Sequence, residues 1–239
     1  MSTRFSDALV HENACGKVAV IPDIKCVSPK DGDLLLGRDP VEIAKLLAHC
    51  GAPALSVVTE QERFGAPPGL LRAVADATGL PILRKDFIAD ESDLEETVKM
   101  GAAAVLLICS LTDKKILAGL FKCAVRLGLE PLVEVCTAEE MAFASGLGAR
   151  LIGINNKDIA TLELDDGGVS RTLALATSAP KGAIFISESG IFTPEDARLA
   201  AAAGANAVLV GTALLRADDT AATYRSLRVE RGMGSCVRS

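Results

Sequence analysis

Eight short apolar runs alternate with eight stretches of helical spacing along these 239 residues, and this alternation limits the fold more than any other feature of the chain. The apolar runs fall at 18–24, 54–58, 81–83, 104–108, 131–135, 151–154, 183–186 and 207–210. The helical stretches fall at 40–49, 69–77, 91–100, 113–127, 138–146, 169–176, 194–203 and 220–229. Strands joined each time through a helix run parallel with right-handed crossovers. An open, doubly wound sheet is the rival to a closed barrel. It usually carries a glycine-rich turn after its first strand, where this chain has Asp23-Ile24-Lys25-Cys26. The pairs Gly51-Ala52, Gly101-Ala102, Gly148-Ala149 and Gly204-Ala205 each follow a helix, each glycine a candidate left-handed cap. They recur roughly every fifty residues, the length of two strand–helix units. The expectation is a single-domain α/β protein over 1–239, a (β/α)8 TIM barrel with a short N-terminal segment at 1–17 and a frayed tail at 231–239.

Composition agrees with this layout. Apolar residues make up 49% of the chain, yet it has one Tyr, seven Phe and no Trp, so its core must be Val, Leu, Ile and Ala, as suits strands buried on both faces. A net charge of −6 gives no broad attraction for nucleic acid or an anionic membrane. No run approaches the ~20 apolar residues of a membrane span, and Met1 to Gly16 lack a signal-peptide pattern, so the chain reads as cytoplasmic. The seven cysteines, Cys15, Cys26, Cys50, Cys109, Cys123, Cys136 and Cys236, form no C-x-x-C pair and accompany only two His. They read as reduced thiols rather than metal ligands. Asp39-Pro40, Asp90-Glu91 and Thr193-Pro194 mark helix starts.

In a barrel of this kind, residues at the C-terminal ends of the strands face the active site. In order, those ends carry Asp23 and Lys25 with Ser28 beyond, Thr59-Glu60 with Phe64-Gly65, Arg84-Lys85-Asp86-Phe87, Cys109-Ser110, Glu134, Asn155-Asn156-Lys157, Ser187-Glu188-Ser189-Gly190 and Gly211-Thr212. Charges at the ends of apolar strands are costly unless paired or used. A lone lysine there would read as half of a salt bridge, with Asp23 or Glu134, that closes the barrel. Two lysines and two glutamates around one rim, Lys25, Lys85, Glu134 and Glu188, point instead to proton-transfer chemistry. Asp86 reads as a residue that orients Lys85 or caps the next helix. Asn155-Asn156 is equally well a plain turn. Ser189-Gly190 and Gly211-Thr212 are short turns that expose backbone N–H groups, and their place after the last two strands marks a phosphate site.

Six segments in order, 23–29, 56–60 with 64–65, 83–88, 132–135, 153–158 and 187–191, together resemble the motifs of indole-3-glycerol phosphate synthases, and the likeness runs from about Val18 to Arg216. The resemblance implies conversion of 1-(2-carboxyphenylamino)-1-deoxyribulose 5-phosphate to indole-3-glycerol phosphate, with loss of CO2 and water, in tryptophan biosynthesis. By position it implies Lys85 as general acid and Lys25 beside the anthranilate carboxylate, assisting. Glu134 would be base or stabiliser, with Asn155 and Glu188 holding sugar hydroxyls and the lysines, and Asp23 completing the catalytic set. Ser28, Ser189, Gly190, Gly211 and Thr212 would bind phosphate, Phe64 would line the aryl pocket, and Lys157 would contribute charge. The implied partner is a small phosphosugar, and no metal or organic cofactor is implied.

Four departures stand out. Asp23 replaces the family's usual Glu, Cys26 a usual base and Lys157 a common Arg, and the family's longer N-terminal extension, with a helix over the substrate, is missing from the roughly seventeen residues before the first strand. They leave two other readings open: an enzyme acting on a different arylamino-sugar phosphate, and a non-catalytic phosphosugar-binding homologue.

Overall fold

A computed structural model describes residues 4–157 and 168–231. Eight parallel strands close a barrel: β1 (Ala19–Ile24), β4 (Leu55–Val58), β5 (Ile82–Lys85), β6 (Ala104–Ile108), β7 (Glu130–Val135), β8 (Leu151–Asn155), β9 (Ile184–Glu188) and β10 (Ala207–Val210). Each pairs with its neighbour in sequence, and β1 completes the ring by pairing with both β10 and β4. A two-stranded antiparallel ribbon, β2 (Val27–Ser28) with β3 (Gly32–Asp33), stands in the loop after β1. The expected (β/α)8 barrel is therefore the observed one. Its helices are α2 (Pro40–His49), α3 (Leu70–Thr78), α4 (Glu91–Met100), α5 (Lys114–Arg126), α6 (Ala138–Gly146), α7 (Ser170–Leu175), α8 (Pro194–Ala202), the short α9 (Thr212–Leu215) and α10 (Thr220–Leu227). Asp39, Asp90 and Thr193 cap α2, α4 and α8 through their side chains, as their positions suggested. Gly51, Gly101, Gly148 and Gly204 all take the left-handed conformation.

Alternate strand residues point to opposite faces, so each strand feeds two cores. Ala19 and Ile21, Leu83, Leu106 and Ile108, Leu132, Leu151, Ile184 and Ile186, and Ala207 and Leu209 fill the barrel. Val20, Val57, Val105, Val133, Ile152, Phe185 and Val208 pack outward under the helices. The same alternation carries upward. Asp23, Lys85, Glu134, Asn155 and Glu188 continue the inward series at its C-terminal end, directly above the apolar filling.

The lower mouth is closed by an element without a periodic signal in the sequence. Helix α1 (Phe5–Ala14) inserts Phe5 and Leu9, both fully buried, into the inside core. Its apolar contacts span little more than one turn, too short a window for helical periodicity to register. Arg4 and Ser6 bind Glu130 at the start of β7, and Asn13 donates to the carbonyls of Asn206 and Lys17. The far end of the chain is tied to the same place by a bridge between Lys17 and Glu230 and a 2.8 Å bond from Arg231 N to Gly16 O. Arg231 is thus anchored rather than frayed. The remainder of the expected tail, 232–239, lies outside the described residues.

Candidate active site

Strand boundaries at the top of the barrel explain how polar side chains come together there. The expected strands stopped at the last apolar residue, at 83, 154 and 186, whereas β5, β8 and β9 continue into Lys85, Asn155 and Glu188. Ladder hydrogen bonds use the backbone alone, so a polar side chain does not end a strand whose neighbour continues beside it. In register, Asn155 lies beside Glu188 and Glu134 beside Ile108 and Gly153.

Lys85 and Glu188 form an ion pair at 3.0 Å, with the Glu188 side chain fully buried. The partner of Lys85 is thus Glu188, not the Asp23 or Glu134 of a simple closing bridge. Burial opposes the ammonium, but the carboxylates of Glu188, Asp23 and Glu134 outweigh it and hold Lys85 well above the ordinary lysine range. Glu134 accepts from Asn155 Nδ2 at 3.2 Å through one oxygen, while its other oxygen is buried without a hydrogen-bond partner among the described residues. Burial, reinforced by the charge of Glu188, pushes the Glu134 carboxyl up to about 7. The site therefore holds a firmly protonated lysine facing a carboxyl group that changes charge near neutrality. That pairing suits proton donation at one atom and proton acceptance at another.

Asp23 accepts from Ser56 Oγ at 2.6 Å, which fixes the shorter carboxylate on the barrel wall. A β-carbon on Gly211 would lie 3.3 Å from both Cβ and Oδ2 of Asp23, so this glycine allows the last strand's turn to close against the first. Asp86 caps no helix among the described residues, and its carboxylate is engaged elsewhere than on Lys85: it accepts from Arg84 Nη2 at 2.9 Å and from Thr59 Oγ1 at 2.6 Å. The physical reason is strand alternation, which sends Arg84 outward toward α4 while Lys85 points in. Buried Arg84, bonded also to Thr97 and to the Asp93 carbonyl, draws Asp86 with it.

Two cavities share the walls Asp23, Lys25, Lys85 and Ser189. One, about 430 Å³, is lined beyond them by Lys157, Gly190 and the segment from Leu209 through Gly211 and Thr212 to Ala213. The other, about 530 Å³, is lined by Phe64, Phe87, Leu106 and Ile108 with Glu134 and Asn155. One chamber is polar and ringed by backbone turns, the other largely aromatic and aliphatic, with the acid–base groups between them. In the first, Ser189 is one of two non-glycine residues with a left-handed backbone among those described, at φ 63°. Gly190 follows at φ 70°, and its Cα packs so closely on the Gly168 carbonyl that no side chain would fit. In the second, Glu60 accepts from the backbone N–H groups of Arg63 and Phe64 and so fixes the turn that presents the Phe64 ring, whose centroid is 5.9 Å from Lys25 Nζ.

The expected residues thus converge on the two cavities, with two exceptions: Glu188, fully buried, meets them through Lys85, and Ser28 stands apart. Ser28 lines neither cavity; its hydroxyl lies 3.3 Å from the Asp31 carboxylate and backbone N–H in the β2–β3 ribbon. Other supporting residues carried no signal in the sequence. Asn156 is no plain turn residue: its amide donates to Ser187 Oγ and to the carbonyls of Glu188 and Ser189, and its oxygen accepts from Thr172 N, tying the ends of β8 and β9 together. Arg171 donates to the carbonyls of Asn155 and Lys157. Asp158, the last residue of the fifth motif, lies outside the described residues.

The model of the indole-3-glycerol phosphate synthase family matches residues 1–227. The chain belongs to the indole-3-glycerol phosphate synthase family. Among proteins bearing that name, the one from Thermococcus kodakarensis is 44% identical over 211 residues, covering 88% of this chain and 92% of its own. The one from Carboxydothermus hydrogenoformans is 45% identical over 213 residues, covering 89% and 80%. Synthases of this family therefore differ in how much chain lies outside the shared region, and the one from Thermococcus kodakarensis has little. Among solved structures, an N-acetylmannosamine-6-phosphate 2-epimerase from Clostridium perfringens superimposes with a TM-score of 0.65 at 18% identity, covering 83% of this chain and 88% of its own, a likeness of fold alone. No helix among the described residues is long and apolar enough to cross a membrane.

Proposed function

We infer that this chain is an indole-3-glycerol phosphate synthase, closing the indole ring of 1-(2-carboxyphenylamino)-1-deoxyribulose 5-phosphate with loss of CO2 and water in tryptophan biosynthesis. The observation that carries the reading, beyond family membership, is the Lys85–Glu188 pair set between an aromatic chamber and a turn-lined polar chamber, with Glu134 and Asn155 alongside. A substrate with an aryl group at one end and a phosphate at the other matches that division.

Ring closure joins the aryl carbon that bears the carboxylate to the ketone carbon of the sugar chain. As that bond forms, charge develops on the ketone oxygen, and the Lys85 ammonium donates a proton to it. Departure of CO2 returns an electron pair to the ring and restores its aromaticity. The new hydroxyl then leaves as water on receiving a second proton, while the adjacent methylene carbon gives one up. Glu134, with its carboxyl poised near neutrality, takes that proton or steadies the cationic intermediate. Lys25, beside Phe64, meets the anthranilate carboxylate and assists the acid steps. Asn155 and Glu188 orient the sugar hydroxyls and Lys85, and Asp23 adds to the field that keeps Lys85 charged. Backbone N–H groups around Gly190, Gly211 and Thr212, with Ser189 and Lys157, serve the phosphate.

Cys26 favours a second reading, a different arylamino-sugar phosphate as substrate. Burial, aided by the Asp33 charge, keeps its thiol neutral where the family motif has a base. The test is direct because the chain has no Trp, so a fluorescent indole product appears over little background. Purified protein incubated with the carboxyphenylamino-deoxyribulose phosphate should generate indole fluorescence. Absence of signal at high protein concentration would sink the synthase reading, and turnover of a differently substituted arylamine alone would favour the second.

A further inference from the structure

Gly153 sits inside β8, where a glycine weakens a strand and has no turn to serve. Its backbone is not among those with positive φ, so conformation does not require glycine there. Space does. A β-carbon at this position would overlap Oε1 of Glu188, lie 3.1 Å from its Cδ and come within 3.6 Å of Leu132 Cδ1. Glu188 reaches this spot from β9, the next strand, with no exposed surface. Its Oε1 is buried against this bare backbone with no hydrogen-bond partner among the described residues, while Oε2 holds Lys85 Nζ at 3.0 Å.

We propose that Gly153 is a positioning residue: its missing side chain is the seat of the Glu188 carboxylate, and that seat sets how Glu188 engages the Lys85 ammonium. Gly153 touches no substrate and acts only through Glu188. The inference rests on the synthase reading for its effect on turnover, but the seat itself is a matter of fit within the barrel. Because Glu188 is hemmed in by the strand beneath it, a methyl group at 153 displaces the carboxylate rather than sharing the space. The displaced carboxylate no longer supports Lys85 in its charged, aligned form.

The experiment is a pair of cycles in the full-length protein. Gly153→Ala should lower kcat about 100-fold, as expected for a misplacement of about an ångström at a catalytic group, with KM little changed. It should also move the alkaline limb of the kcat–pH profile to lower pH, since Lys85 loses part of the carboxylate field that raises it. In a Glu188→Asp background, whose shorter side chain leaves the seat partly empty, the same Gly153→Ala change should cost only a few-fold. Equal losses in the two backgrounds, or an unshifted alkaline limb, would overturn the proposal. The second cycle reads thermal stability. Gly153→Ala should lower Tm with Glu188 present and lower it much less in a Glu188→Ala background, where nothing occupies the seat. The same loss of Tm in both backgrounds means that the methyl group clashes with something else, and the proposal fails. Should the parent protein form no indole, the synthase reading falls, while this stability cycle still decides whether Gly153 seats Glu188.

Discussion

Glu130 and Glu134 stand four residues apart on β7, both facing into the barrel and both buried, one at each mouth. At the lower mouth Glu130 accepts from Arg4 Nε at 2.7 Å, Ser6 N at 2.9 Å and Ser6 Oγ at 3.2 Å, so both its oxygens are engaged. At the upper mouth Glu134 has Asn155 on one oxygen and, among the described residues, no partner on the other. One strand thus holds a carboxylate spent on stability and a carboxyl group held ready for a proton. The difference lies in what each end can reach. The lower mouth is filled by α1, which brings its own donors, whereas the upper mouth opens into the two cavities. Buried carboxylates with satisfied bonds hold a fold together, and those left short of partners have shifted proton affinities that catalysis can use.

The contrast breaks most visibly at Lys85. Lys85→Ala should reduce indole formation by about 10³-fold, within the usual range for a lost general acid, with inorganic phosphate still binding; near-normal turnover would refute its role. At the opposite mouth, Leu9→Ala should remove about 3 kcal/mol of stability by hollowing the plug, yet leave kcat unchanged. A fall in kcat measured well below the melting temperature would show that the two ends are coupled.

Glu134→Gln comes next. Turnover should drop about 100-fold, equivalent to about 2.7 kcal/mol, and the activity rise through about pH 7 should disappear. The folded carboxyl binds its proton up to about 7, against about 4.5 in an ordinary carboxyl, so its favourable contribution to stability is complete at low pH and is lost as pH rises through that window. The glutamine variant should therefore gain in Tm relative to the parent between about pH 5 and about pH 8. A difference that does not vary with pH would mean that Glu134 is not the titrating group. Smallest should be Glu130→Gln, which weakens bonds to Arg4 and Ser6 and should cost about 1–2 kcal/mol, seen as a Tm lower by a few degrees with activity intact.

Much of the upper rim was legible in the chain because strand ends and turns have local signatures. Lys25, Lys85 and the Gly190 and Gly211 turns each follow an apolar run that locates them, and Glu134 sits near the end of one. The lower mouth was not. Phe5, Ser6 and Glu130 make sense only once residues 124 or more apart in sequence meet, and nothing near Glu130 distinguishes it from a solvated glutamate after a helix. Asp86 misled for a related reason. Beside Lys85 in sequence and lining the same cavity, it is nonetheless held by buried Arg84 and by Thr59.

By itself the sequence determined the barrel, the order of its strands and the set of polar residues at their C-terminal ends, because periodicity, capping residues and glycine turns act over a few neighbouring residues. Only the tertiary structure decided which of those groups would pair. That Lys85 meets Glu188, that Gly153 leaves room for them to meet, and that Glu134 has an oxygen unpartnered among the described residues all depend on register between strands and on burial. Both arise only when the ring closes.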